Sequence, residues 1–102
     1  MKPLILLTVA TALLLGAAAA MAHHISPDEA LRLRDAGTIR DLETLNQAAL
    51  GKHPGGSVYD SELELDHGRY LYKVDIKDAR GVKWDVALDA VSGVIIKDRQ
   101  DD

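Results

Sequence analysis

The sequence of 102 residues contains no cysteine. The chain therefore forms no disulfide bond and carries no cysteine nucleophile. Small exported domains often depend on disulfides, so the stability of this chain has to come from packing alone. We expect most of its apolar positions to be committed to a hydrophobic core.

The sequence also lacks the common motifs of enzymes. It contains no G-x-S-x-G nucleophile turn, no glycine-rich phosphate loop and no H-E-x-x-H zinc motif. Each serine falls where a helix cap, a strand or a turn explains it: Ser26, Ser57, Ser61 and Ser92. We therefore predict a non-enzymatic protein without catalytic residues and without a cofactor.

The first 22 residues, MKPLILLTVATALLLGAAAAMA, have the form of an export signal. One lysine precedes an apolar run from Leu4, and the run ends in Ala20-Met21-Ala22, the A-x-A pattern read by signal peptidase. We predict a signal peptide over residues 1–22 and a periplasmic or secreted mature protein. An uncleaved membrane anchor is the alternative, but the second half is rich in alanine and no basic cluster follows it.

Basic residues are too few to favour an anionic partner. The chain has 12 lysines and arginines against 16 aspartates and glutamates, a net charge of −4. Loss of Lys2 with the signal peptide lowers this to about −5. The excess of negative charge argues against nucleic acid and against anionic membrane surfaces as partners.

The first half of the mature chain has a helical pattern. In SPDEALRLRDAG, Ser26 is a good N-cap, Glu29 completes a capping box and Gly37 ends the helix. TIRDLETLNQAALG predicts a second helix with Thr38 as its cap and Gly51 at its end. An apolar stripe at helical spacing faces inward from this second helix: Ile39, Leu42, Leu45, Ala49 and Leu50.

The second half alternates apolar and polar residues with period two, which is typical of β-strands. Three glycine-containing segments, HG, DARG and DAVSG, separate the strands as turns. We predict an α+β fold in which N-terminal helical segments pack on one face of a four-stranded antiparallel β-meander. Inward positions on the last two strands include Trp84, Val86, Leu88, Val94 and Ile96.

A consistent pairing of the strands predicts rows of charge on the outer face. With three-residue turns ending before Gly81 and Gly93, Tyr72 opposes Val86, and Val86 opposes Ile96. With HG as a two-residue turn, one outer row alternates in sign and consists of Glu62, Lys73, Asp85 and Lys97. The neighbouring row consists of Asp60, Asp75, Lys83 and Arg99.

Asp85 and Asp89 lie four residues apart beside Trp84 and could be mistaken for a catalytic pair. In the predicted pairing, Asp85 lies between Lys73 and Lys97, where a cross-strand charge pair contributes about 0.2 to 1 kcal/mol. Asp89 begins a turn in which its side chain can accept backbone N–H groups. We therefore assign structural roles to both carboxylates and place Trp84 in the core.

Several consecutive segments carry a resemblance to a known family. A helix ends in ALGKHPGG, the strands SVYDSELELDHG and RYLYKVDIKD follow, and KWDVALDAVSGVII contains a D-A-x-[TS]-G turn with Ser92 at the hydroxyl position. From about Asp41 to Asp98 the chain resembles a PepSY domain. We place this domain at residues 38–99, between an N-terminal segment with a short helix, 23–37, and an acidic tail, 100–102.

The resemblance implies an exported, non-enzymatic binding or regulatory module. Similar domains occur in the propeptides of secreted metallopeptidases, and a role in inhibiting or regulating peptidases has been proposed for the family. The expected partner is thus a protein, either a peptidase or an envelope sensor, with no membrane contact after signal cleavage. The family offers no catalytic residues to transfer to this chain.

The histidines suggest an alternative function. His53 in a loop and His67 in a turn are predicted to be exposed polar residues. Cleavage after Ala22 would place a free α-amine beside His23 and His24, and three such nitrogens can chelate Cu²⁺ or Ni²⁺. A periplasmic metal-handling accessory protein is therefore the alternative, while the main prediction contains no metal.

A binding module needs a surface, and the predicted pairing offers one. Leu71, Ala87 and Ile95 line up beside Glu64 on the outer face as a small apolar patch, which we predict to contact the protein partner. Incidental exposure is an alternative, because isolated apolar surface residues are ordinary. Addition of a partner strand at a sheet edge is another, although charged residues on the edge strands discourage it.

Overall fold

The computed structural model describes residues 22–101. The predicted signal peptide, apart from Ala22, lies outside the described residues. The strands form one antiparallel sheet in sequence order, so the α+β prediction is confirmed, whereas the count of four strands is wrong. The elements are β1 (His23–Ile25), α1 (Pro27–Asp35), α2 (Leu42–Leu50), β2 (Ser57–Asp66), β3 (Arg69–Lys77), β4 (Lys83–Asp89) and β5 (Ile95–Gln100).

The additional strand is β1, which lies before both helices. It pairs antiparallel with β2, and its three residues lie opposite Leu65, Glu64 and Leu63. A three-residue segment is too short to show a period-two pattern, so its sequence carries no strand signal. The edge of β2 determines its conformation instead, and the sheet therefore begins within the segment predicted to be only helical.

Helix α1 begins and ends close to the prediction. The Ser26 side chain accepts a hydrogen bond from the backbone N–H of Glu29 at 3.2 Å, as expected of an N-cap. The Glu29 carboxylate pairs with Arg32 at 2.9 Å. Gly37, with φ of +77°, follows the helix and redirects the chain.

Helix α2 begins at Leu42, so the prediction of Thr38 as its cap is wrong. The residues before it run over the β4–β5 turn and are held there by Arg40. The Arg40 backbone N–H donates to the Ala90 carbonyl at 2.9 Å, and its Nε–H donates to the Val91 carbonyl at 3.1 Å. These long-range bonds outweigh the local helical tendency of the segment.

The β2–β3 hairpin has the predicted pairing. Glu62 lies opposite Lys73, and Leu63 lies opposite Tyr72. The two turn residues both have positive φ, 50° at His67 and 79° at Gly68. This is the backbone conformation of a type I′ turn, which suits a two-residue hairpin.

The β3–β4 pairing differs from the prediction by two residues. Tyr72 lies opposite Leu88, and Val86 lies opposite Val74. The turn is closed by Asp78, whose backbone N–H donates to the Val82 carbonyl at 2.8 Å. Hydrophobic alternation could not reveal the error, because a shift of two residues keeps every side chain on its predicted face.

The β4–β5 pairing was also predicted wrongly. Val86 lies opposite Asp98, and a bulge follows between Ala87 and Leu88. The bulge places Ile95 opposite Leu88, so that Ile95 packs against the core while Ile96 is exposed. The inward positions predicted for Val94 and Ile96 are therefore corrected.

The core lies between helix α2 and one face of the sheet. Leu45 and Ala49 from the helix are buried against strand residues that include Val74, Ile76 and Leu88. Ile39 and Ala30 extend this core beyond the helix, and both are buried. Within residues 22–101, no helix is long and apolar enough to cross a membrane.

Candidate binding face

The sheet face opposite α2, called the outer face below, carries charge in two rows that differ from the predicted ones. Because β4 is displaced by two residues, Ala87 takes the expected place of Asp85 opposite Lys73 and Lys97. Asp85 lies instead between Asp75 and Arg99, so its predicted position between two lysines is wrong. Asp60 meets Asp75, as predicted, and completes an acidic row.

These rows surround a polar concavity of about 240 Å³ on the outer face. Acidic groups dominate one end and lysines the other. A cavity of this size is below the usual range for small-molecule sites, so its walls suit one or two side chains of a partner better than a metabolite. The charged residues that line it are Asp60, Glu62, Lys73, Asp75, Asp85 and Lys97.

Asp75 and Asp85 face each other across β3 and β4 as a carboxyl pair within this concavity. Partial burial, then the hydrogen bond and negative charge of Asp85, raise the pKa of Asp75 to about 6. Two carboxylates that face each other across neighbouring strands resist being ionised together. The pair therefore retains a proton at mildly acidic pH, a property that the sequence pattern did not indicate.

Stability should fall as pH rises from about 4 to about 6. The raised pKa means that the folded chain holds the Asp75 proton in a range where the unfolded chain has lost it. The free energy of unfolding therefore decreases as pH rises through this range. Because solvent screens this open surface, we expect a loss on the order of 1 kcal/mol. Denaturant titrations across this range measure it.

The Asp85→Asn variant tests the cause of this pH dependence. It removes one negative charge from the pair, so the decline between pH 4 and 6 should become shallower and stability at pH 7 should rise. Asp35→Asn, a charge-matched change at an exposed residue of helix α1, serves as the control. A decline of unchanged size in Asp85→Asn would contradict the assignment of the carboxyl pair.

The predicted apolar patch is not assembled on the outer face. Leu71 lies beside Glu64, as predicted, but Ala87 is buried with 5% of its surface exposed. Ile95 packs against the core, and Glu64 is 7% exposed and forms an ion pair with Lys73 at 3.0 Å. The four residues therefore do not form one accessible surface.

Three of the exposed apolar side chains among the described residues lie close together at the β4–β5 turn and the start of β5. Val91, Val94 and Ile96 have about half of their surfaces exposed, at 53%, 58% and 45%. Asp89 holds this turn, because its carboxylate accepts the backbone N–H groups of Val91 and Ser92 at 2.8 and 3.0 Å. These bonds, Ser92 first, lower the pKa of Asp89 and confirm its predicted role in the turn.

The predicted exposure of His53 is wrong. Its side chain is 9% exposed, and its ring centroid lies 4.5 Å from that of Trp84. The Nε2–H group of His53 donates to the Asp98 carboxylate at 2.8 Å. His67, in contrast, is exposed as predicted. A loop histidine followed by proline and two glycines gave no periodic signal of burial.

Trp84 connects the sheet to this loop. It packs against the core as predicted, and its Nε1–H group donates to the Asp78 carboxylate at 3.0 Å. Asp78 also accepts the backbone N–H groups of Arg80 and Val82, each at 2.9 Å. These bonds, the Trp84 bond first, lower the pKa of Asp78 to about 2.

The two amino-terminal histidines are separated by the strand that contains them. His23 lies opposite Leu65, and His24 lies opposite Glu64 on β2. Successive side chains of a strand point to opposite faces, so the two imidazoles do not converge. Only His24 faces the charged rows, where its Nδ1 lies 3.0 Å from a Glu62 carboxylate oxygen.

Fold and outer face together define a small α+β module with one helix-covered sheet face and one polar face. Residues 41–99 match the PepSY family, described as "Peptidase propeptide and YPEB domain". The chain belongs to this family, which confirms the resemblance. Helix α2 and strands β2 to β4 fall within the matched region, and β5 extends one residue beyond it.

The chain is also similar to an uncharacterized protein, YkoJ, of Bacillus subtilis (strain 168). The two sequences are 37% identical over 51 residues, which is 50% of this chain. The match spans only 30% of the Bacillus protein, less than a third of its length. No solved structure matches this chain.

Proposed function

We propose that this protein is an exported, non-enzymatic binding module that regulates a peptidase or a membrane sensor by direct protein contact. Membership of the PepSY family carries the proposal, because the family description names peptidase propeptides. Export is supported by the apolar amino-terminal sequence and its A-x-A ending, which favour a periplasmic or secreted location.

The β5 edge is the surface that we assign to the partner. This strand forms the edge of the described sheet, and Ile96 on it and Val94 before it are exposed. An extended partner segment could pair with the strand while its side chains cover these apolar groups. The charges of Lys97, Asp98 and Arg99 would limit pairing to partners of matching charge.

Affinity capture from the envelope of the exporting cell tests this function. The wild-type protein should capture a peptidase or a membrane sensor, and a captured peptidase should be slowed when the protein is added at stoichiometric concentration. Capture of no such protein, or an unchanged rate of every captured peptidase, would contradict regulation by contact.

Two matched variants test the assigned surface. Ile96→Lys puts a charge at the β5 edge and should abolish capture, because a lysine there removes an apolar contact. Leu31→Lys changes a similarly exposed apolar residue on α1 and should leave capture intact. Equal capture by both variants would show that the partner binds away from β5.

A further inference from the structure

A second cluster of charged and ligand-bearing side chains lies where β1 pairs with β2. His24 lies directly opposite Glu64, and Glu62 lies two residues earlier in β2 on the same face. One nitrogen or oxygen from each of the three side chains lies within 4.8 Å of the others. The pairing of β1, which the sequence pattern did not reveal, brings two carboxylates to an imidazole.

We propose that His24, Glu62 and Glu64 form a binding site for a divalent transition-metal cation such as Zn²⁺. One imidazole nitrogen and two carboxylate oxygens are ligands that Zn²⁺ accepts, at distances of about 2.0 to 2.2 Å. His24 Nδ1 and the nearer Glu62 oxygen are already 3.0 Å apart. That separation suits two ligands of one ion.

Burial of Glu64 supports the site. Its carboxylate is on the outer face, yet the residue is only 7% exposed, and a buried negative charge requires a cationic partner. Lys73 supplies that partner, with its Nζ 3.0 Å from a Glu64 carboxylate oxygen. A divalent ion would neutralise both Glu64 and Glu62, whereas the lysine carries a single charge.

Lys73 is therefore the natural competitor of the ion. Its side chain is 42% exposed, so the ammonium group can swing into water when a cation binds the carboxylates. His24 is exposed at the edge of the sheet, which leaves a path by which an ion can enter. Occupancy of the metal site would then depend on competition between Lys73 and the ion for the Glu64 carboxylate.

This site differs from chelation by a free amino terminus. A terminal chelate would use the α-amine with His23 or His24 and would need neither glutamate. The strand site uses His24 with both glutamates and does not need His23, whose side chain points to the opposite face. Variants of the glutamates and of Lys73 therefore discriminate between the two arrangements.

Calorimetric titration of the exported protein with ZnCl₂, after its amino terminus has been determined by mass spectrometry, tests the proposal. The wild type should bind one Zn²⁺. His24→Ala and Glu62→Gln should each weaken binding about tenfold or more, the scale of effect typical when the surroundings of a metal are altered. Lys73→Met should strengthen binding, because it removes the competing ammonium group.

His23→Ala and His67→Ala are the matched histidine controls, since both are exposed and lie outside the cluster. Both should bind Zn²⁺ like the wild type, and circular dichroism should show that all variants are folded. Absence of Zn²⁺ binding by the wild type would overturn the proposal. Unchanged binding by Glu62→Gln, or equal losses in His23→Ala and His24→Ala, would overturn it as well.

Discussion

Replacement of Trp84 by alanine should lower the free energy of unfolding by about 3 kcal/mol, at the lower end of the range for truncation of a large aromatic core residue. Trp84 is half-buried, which keeps the loss from being larger. The variant removes the ring that packs 4.5 Å from His53, and it removes the indole N–H group that donates to Asp78. Urea denaturation followed by circular dichroism measures the change.

A phenylalanine at position 84 separates these two contributions. Trp84→Phe keeps an aromatic ring against His53 but cannot donate to Asp78, so its loss should be clearly smaller than that of alanine. Tyr59→Ala, at an exposed aromatic position on β2, is the control and should change stability little. A loss in Trp84→Ala no larger than in Tyr59→Ala would contradict the core position of the tryptophan.

Features determined by neighbours in the chain could be predicted from the sequence. The Ser26 cap, the His67-Gly68 turn and the turn-holding role of Asp89 depend on atoms a few residues apart. The alternation of side chains likewise assigned Val86 and Leu88 correctly to the buried face. Local geometry limits each of these features to few possibilities.

Features determined by distant parts of the chain could not be predicted in the same way. Strand β1 exists because β2 offers it an edge, and helix α2 starts late because Arg40 is bound to the β4–β5 turn. The shift of β4 by two residues preserved both faces, so the alternation pattern fitted the wrong pairing equally well. That shift changed the neighbours of Asp85 from two lysines to Asp75 and Arg99.

The difference between local and long-range determinants also explains which candidate sites could be predicted from the sequence. The predicted patch depended on pairing across three strands, and the bulge after Ala87 moved Ile95 into the core. The cluster around His24 required a strand that has no sequence signal of its own. His24 was identified from its position after the predicted cleavage site, whereas its glutamate neighbours became visible only through strand pairing.

Gly56→Ala should destabilise the protein by about 2 to 3 kcal/mol, as expected when an atom is forced into a packed region. A Cβ at this position would lie 2.9 Å from the His53 carbonyl, 3.0 Å from Ile76 Cγ2 and 3.1 Å from the Lys77 carbonyl. Two of these atoms belong to the backbone and cannot rotate away. The loop would have to move, and with it the His53 ring that packs on Trp84.

Gly51→Ala is the matched control for Gly56→Ala. Gly51 lies five residues earlier, its φ of −61° suits alanine, and a Cβ there would meet its nearest neighbour at 3.3 Å. We expect little change in stability from this variant, because the smaller conformational freedom that alanine loses on folding offsets the close contact at 3.3 Å. Thermal denaturation of both variants measures the difference in their melting temperatures. Equal melting temperatures would show that the glycine is not required for close packing, whereas a selective loss in Gly56→Ala would explain why the HPGG segment ends in glycine.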